Sequence, residues 1–238
     1  MSGNLEIQVA VAKVAKYALP ESGDTVEVTE RPHGGLSVVL ADGQGHGQAA
    51  KTLSSMVAKK AIGLLADGTR DGAVARATHD YLYAYRRGQV SVELAIVSAD
   101  LVTNTIVVSR NTHCPALLAY HGEVQSWADQ SGPIGLYANT KPLIQELPIA
   151  EGVAAVVYSD GIADAGRRTG QRFDAAAAMQ PLAKAGASAQ AIVDALLAGA
   201  LALDQRRPGD DMTVVALAVR RTAHDDGARR LVMHFPIG

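Results

Sequence analysis

The chain has 238 residues, of which 48% are apolar and 19% charged, with a formal net charge of -2. That length supports one sizeable core and is too short for two comfortable domains, and the balance is neither disordered nor fibrous. No block of Lys and Arg supports nucleic-acid binding, and the single Cys114 rules out an internal disulfide. There is neither a leader pattern nor a run of roughly 20 apolar residues, so a soluble cytoplasmic protein with no membrane partner is expected.

Leu5, Ile7, Val9 and Val11 alternate with polar or small residues, the period of a half-buried strand. The apolar phase shifts at Val14, which predicts a bulge or bend near Ala12–Lys13. Past the turn residues Pro20 and Gly23, a second strand is expected from Thr25 to Thr29. Leu36–Ala41 reads as a buried strand running straight into Asp42-Gly-Gln-Gly-His-Gly47. The period then changes. Ala49, Leu53, Met56, Val57, Ala61 and Leu64 share one helical face, ended by Asp67-Gly68. A second helix should bury Val74, Ala77, Tyr81, Leu82 and Tyr85 and stop before Gly88.

From Val90 to Trp127 the pattern is all strand: Val92–Ala99, Thr103–Ser109, Pro115–Tyr120 and Glu123–Trp127, with hairpin joints at Ala99-Asp100 and Tyr120-His-Gly-Glu123. Further strands are predicted at Leu143–Leu147 and Val153–Ser159. Helices follow at 174–183 and 188–205, the latter capped by Ser188. Met212–Val219 and Leu231–Phe235 close the chain as strands. Hairpins imply largely antiparallel sheets, and the helices fall in two groups. The expected fold is therefore α+β, a four-layer α-β-β-α sandwich in which helix pairs flank two stacked sheets. One domain spans residues 1–238.

Two buried strands end alike, in Asp42-Gly43 and Asp160-Gly161, and the strand from Met212 is preceded by Asp210-Asp211. Carboxylates at adjacent strand ends project into one cleft and repel unless a cation lies between them, which suggests Mg²⁺ or Mn²⁺. Taken singly, Asp-Gly is among the commonest turn dipeptides, and most instances bind nothing. The glycine-rich segment at residues 43–47 is not a dinucleotide turn, since Gln48 stands where the third glycine belongs, and no Walker spacing is present.

The ordered set of motifs resembles the SpoIIE-type (sigma-regulation) branch of the protein phosphatase 2C superfamily of serine phosphatases. It comprises Ser22-Gly-Asp24, Asp42-Gly-Gln-Gly-His-Gly47 before an Ala-rich helix, and Asn111-Thr-His-Cys-Pro-Ala-Leu-Leu118. Gly132-Pro-Ile-Gly135, Tyr158-Ser-Asp-Gly-Ile162 and Asp210-Asp-Met-Thr-Val214 complete it. The resemblance spans about residues 20–220. It implies two divalent ions, Mn²⁺ or Mg²⁺, with Asp42 bridging them and the Gly43 carbonyl on one. Asp160 and Asp210 would hold the other ion, and Asp24 would act directly or through water. The motif's ligand matches Asp210, with Asp211 the open alternative. Such ions activate a water for attack on phosphorus, and His46 is a candidate acid for the leaving oxygen, against a local helix-start role. His113 and Cys114 read as a strand start with a core cysteine.

The implied activity is metal-dependent hydrolysis of phosphoserine or phosphothreonine on a protein. The expected substrate is a small STAS-type anti-sigma-factor antagonist, docking on helices at 46–66 and 70–87. The alternative is a non-catalytic partner-binding regulator that keeps the phosphatase fold, against which all four matched carboxylates are retained. The sequence carries no indication of oligomeric state.

Overall fold

The computed structural model describes residues 4–222 and 227–236. Its elements in chain order are β1 (Leu5–Val14), β2 (Asp24–Glu30), β3 (Gly35–Gly43), α1 (Gly47–Ala66), α2 (Asp71–Arg86), β4 (Val92–Asp100), β5 (Thr105–Asn111), β6 (Ala116–Tyr120) and β7 (Glu123–Trp127). Then come β8 (Leu143–Pro148), β9 (Ala154–Tyr158), the single turn α3 (Asp160–Ala163), α4 (Ala175–Lys184), α5 (Ala189–Leu203) and β10 (Met212–Arg221). One five-stranded sheet runs β1-β10-β9-β6-β7 and the other β2-β3-β4-β5-β8. Every strand pairing among the described residues is antiparallel.

Three apolar layers hold the four structural layers together. Between the sheets, Val38, Leu40, Val97 and Val108 meet Leu118, Val157, Val215 and Leu217. On one outer side α1 and α2 cover the second sheet through Val57, Ala61, Leu65, Val74 and Leu82. On the other, α4 and α5 cover the first sheet through Met179, Ile192 and Leu196. The expected α-β-β-α sandwich is the observed fold.

Local chemistry sets the boundaries. In α1 the buried residues Ala50, Leu53, Ser54, Val57, Ala58, Ala61 and Leu65 recur at helical spacing on one face. Ser188 caps α5 by accepting from the Ala191 amide at 3.2 Å. His121 and Gly122 both adopt positive φ, which makes the β6–β7 joint a tight two-residue hairpin.

Three expectations are corrected. No bulge interrupts β1, whose ten residues pair in unbroken register with β10. The phase shift arises because both faces of β1 are covered: Ala10 and Ala12 join the helix-side core while Ile7, Val9 and Val11 face the other sheet. In α2 the inner face carries Val74, Ala75, Thr78, His79 and Leu82 rather than Ala77, Tyr81 and Tyr85. Polar His79 is buried because its Nδ1 accepts from the Gly135 amide at 3.1 Å. Tyr81 and Tyr85 stack on each other outside, and Lys60 lies over the Tyr81 ring. Finally, Leu231–Phe235 is exposed coil and joins no sheet. Both neighbouring positions beside β10 are already taken, by β1 and β9.

Leu217 is fully buried, whereas Leu231 is 85% exposed. Leu217→Ala is expected to lower unfolding stability by about 2–5 kcal/mol, and Leu231→Ala to leave it within about 0.5 kcal/mol. Chemical denaturation of the two variants checks this.

Candidate metal centre

Strand register alone aligns three acids across one end of the second sheet. Asp24, the first residue of β2, lies opposite Asp42 near the end of β3, and Asp42 lies opposite Glu93 at the start of β4. In the facing sheet β9 ends at Tyr158 and β10 begins at Met212, and these strands pair antiparallel. Asp160, opening α3, and Asp210 therefore come to one end of that sheet. The two rows are tied together: Thr213 Oγ1 of β10 donates to Asp24 Oδ2 at 2.5 Å.

Two glycines permit this convergence. A Cβ on Gly43 would sit 2.1 Å from the Ala50 carbonyl oxygen in the first turn of α1, and one on Gly161 2.2 Å from the Asp211 carbonyl oxygen. Backbone occupies that space, so no side chain fits.

Asp211 points elsewhere. Its Oδ1 accepts from the Lys16 amide at 2.8 Å and its Oδ2 from the Gly23 amide at 2.7 Å. Its carboxylate thus fastens the β1–β2 connection to the start of β10. Asp210 is more open, with Oδ1 accepting from the Asp211 amide at 3.0 Å and Lys16 Nζ 3.9 Å from Oδ2. His46 is the exposed N-cap residue of α1, and its side chain makes no capping hydrogen bond.

Electrostatics mark the acids as a repelling cluster. Burial first, then Asp24, Asp160, Glu93 and Asp210, holds the Asp42 carboxyl far above the usual range. Asp160 is pushed up to about 6 by burial, with Asp210, Glu93 and Asp24 adding to it. Asp24 also rises to about 6 through burial, against opposing hydrogen bonds from Thr213 and Ser159. Asp24 Oδ1 is buried with no hydrogen-bond partner among the described residues. An orphaned carboxylate oxygen within an all-oxygen donor set suits a hard divalent cation such as Mg²⁺ or Mn²⁺. The residues fit such ions.

Sequence reasoning missed Glu93, Lys13 and Lys51. Lys13 and Lys51 both donate to the Asp24 carbonyl, at 2.7 and 2.8 Å, setting two ammonium groups beside the acids. Glu93 was visible only as an acid near the start of the apolar strand beginning at Val92. It accepts from Thr112 Oγ1 and from His113 Nδ1. Glu93, His113 and Cys114 bring one ligand atom each within 4.8 Å of one another. Both Glu93 oxygens are already engaged, however, and burial pushes the Cys114 thiol up, away from the thiolate a soft metal needs.

The family model described as Stage II sporulation protein E (SpoIIE) matches residues 32–220. No curated protein matches the sequence. Among solved structures, the PP2C phosphatase domain with a regulatory fragment of SpoIIE from Bacillus subtilis is 20% identical with a TM-score of 0.77, covering 91% of this chain and 64% of that one. The RsbU and RsbW domains of Rv1364c from Mycobacterium tuberculosis are 19% identical with a TM-score of 0.71, covering 92% and 61%. This chain thus spans less than two thirds of either. The catalytic domain of the serine threonine phosphatase PstP, solved with two manganese ions, is 19% identical with a TM-score of 0.66, covering 91% and 100%.

The raised carboxyls fix a pH dependence. A carboxyl that holds its proton more tightly when folded stabilises the fold below its unfolded value near 4, and that contribution is lost as pH rises through about 6. The metal-free protein is expected to melt several degrees lower at pH 8 than at pH 5, and Mn²⁺ to reverse the loss. Asp42→Asn should raise the metal-free melting temperature at pH 8 and abolish most of the Mn²⁺ response, as read by thermal denaturation in chelator and in Mn²⁺.

Proposed function

Because the chain belongs to the SpoIIE family, we propose that it is a metal-dependent phosphatase acting on phosphoserine or phosphothreonine of a partner protein. The observation that carries this reading is the convergence of buried and half-buried, mutually repelling carboxylates at the ends of two facing sheets, with Asp24 Oδ1 left without a partner among the described residues. Asp24, Asp42, Asp160, Asp210 and the Gly43 carbonyl are the proposed holders of two divalent cations, Mn²⁺ or Mg²⁺. The two manganese ions of PstP support that choice. Asp211 is left out of this set because both its oxygens are bound by backbone amides.

When bound, such cations acidify a water for attack on phosphorus and neutralise charge on the phosphoryl oxygens. The chain's own residues prepare the place. Thr213 and the Asp211 clamp fix where Asp24 stands, and packing of α1 against Gly43 fixes the backbone beside Asp42. Lys13 and Lys51 offset part of the negative charge at one rim. The proposed substrate is a small phosphorylated STAS-type antagonist of an anti-sigma factor. The RsbU and RsbW domains and the stressosome system among the structural neighbours support a protein substrate of this kind.

The test is Mn²⁺-dependent hydrolysis of p-nitrophenyl phosphate and of a phosphoserine peptide, with wild type beside Asp42→Asn. The wild type is expected to exceed the variant by more than about 100-fold on both. A wild type no faster than Asp42→Asn in excess Mn²⁺ overturns the enzyme reading and favours a partner-binding regulator.

A further inference from the structure

Departure of a serine or threonine oxygen needs a proton, because an alkoxide is a poor leaving group. The acids of the centre are proposed cation holders, and His46 lies exposed at the start of α1 with its side chain capping nothing. A second imidazole is better placed. Cross-strand pairing sets Glu93 beside Asp42, and Glu93 Oε1 accepts from His113 Nδ1. An ionised carboxylate only accepts, so Nδ1 carries the proton in that bond and Nε2 is the nitrogen left for chemistry.

The loop bearing His113 is pinned from several sides. Thr112 Oγ1 donates to Glu93 Oε2 and accepts from the Cys114 amide at 3.0 Å. The fully buried Arg110 donates to the carbonyls of Cys114 and Asp129, with its guanidinium 4.2 Å from the Trp127 ring centroid. Asn111 Nδ2 reaches the Lys141 carbonyl at 3.2 Å. The His113 side chain nevertheless remains 54% exposed, so a bound phosphoprotein can reach it. Apart from Glu93, the charged groups that face the ring are Asp160 and Asp164, and the Cys114 thiol lies 4.0 Å from Nε2. The hydrogen bond to Glu93 is the largest influence on the imidazole and favours the protonated form against burial.

We propose that His113 is the proton donor to the departing serine or threonine oxygen, and that Glu93 is the residue that positions it. This rests on the phosphatase reading above. As water attacks phosphorus, the ester P–O bond breaks and its electron pair stays on the seryl oxygen. That oxygen takes the Nε2 proton, and the neutral imidazole regains one from solvent. The products are the free hydroxyl and inorganic phosphate.

An aryl phosphate separates this role from a structural one, because nitrophenolate leaves without needing a proton. With Mn²⁺ saturating, His113→Gln and His113→Ala are expected to lower kcat on a phosphoserine peptide by about 100-fold or more, and on p-nitrophenyl phosphate by less than about tenfold. The wild-type phosphoserine rate should fall at alkaline pH as the imidazolium is lost, and both variants should lack that limb. Glu93→Gln keeps an acceptor for Nδ1 but removes the charge, so it should move the limb to lower pH. Equal losses on both substrates, no loss on either, or selective loss in His46→Ala instead would each overturn the proposal. A wild type inert towards both substrates would defeat the phosphatase reading itself.

Discussion

Like charges held together with little water between them and the core are the constraint on which this molecule is organised. Two carboxylates about 4 Å apart repel by about 4 kcal/mol even at an effective dielectric near 20. Here burial, with Asp24, Glu93 and Asp210 beside them, raises the proton affinity of Asp42 and Asp160 at a single end of the sandwich. For the fully buried Asp24, retaining a proton up to about pH 6 corresponds to a cost of about 3 kcal/mol for the metal-free fold above that pH. A chain gains nothing in stability from such an arrangement, so the acids make sense as a place prepared for cations.

The sandwich supplies the force that holds them. Apolar layers above, between and below the sheets fix each strand, and antiparallel register then dictates which residues meet at the ends. Asp24, Asp42 and Glu93 are neighbours because β2, β3 and β4 pair in one register; a slip of one residue would turn Asp42 to the opposite face. Around this frame a few polar ties set the detail. The Asp211 carboxylate binds the β1–β2 connection through two amides, and Thr213 reaches Asp24 from the other sheet. Gly43 and Gly161 let backbone approach where any side chain would collide.

Much of this was legible in the sequence. Leu36–Ala41 and Val153–Ser159 are largely apolar runs, so their strands and the aspartates ending them could be read directly. The α-β-β-α order followed from hairpin-linked strands interrupted by two helix groups. What stayed hidden depends on tertiary register or on burial of both faces of an element. Glu93 looks like any strand acid until β4 is paired to β3. The phase shift at Val14 looks like a bulge unless β1 is known to be covered on both sides. Tyr81 and Tyr85 look like core residues, yet Thr78 and His79 are buried in their place, and His79 meets the Gly135 amide there. Leu231–Phe235 has the composition of a strand but finds both places beside β10 filled.

The division of labour between Asp210 and Asp211 shows why adjacent identical residues need geometry to be told apart. One is half open to the cluster and the other is spent on two backbone amides. The central claim, that the converging acids are a cation centre, is met most directly by anomalous X-ray scattering at the manganese edge from crystals grown with Mn²⁺. The account predicts strong peaks enclosed by Asp24, Asp42, Asp160 and Asp210. An absence of peaks there, or a sole peak at Glu93, His113 and Cys114, would contradict it.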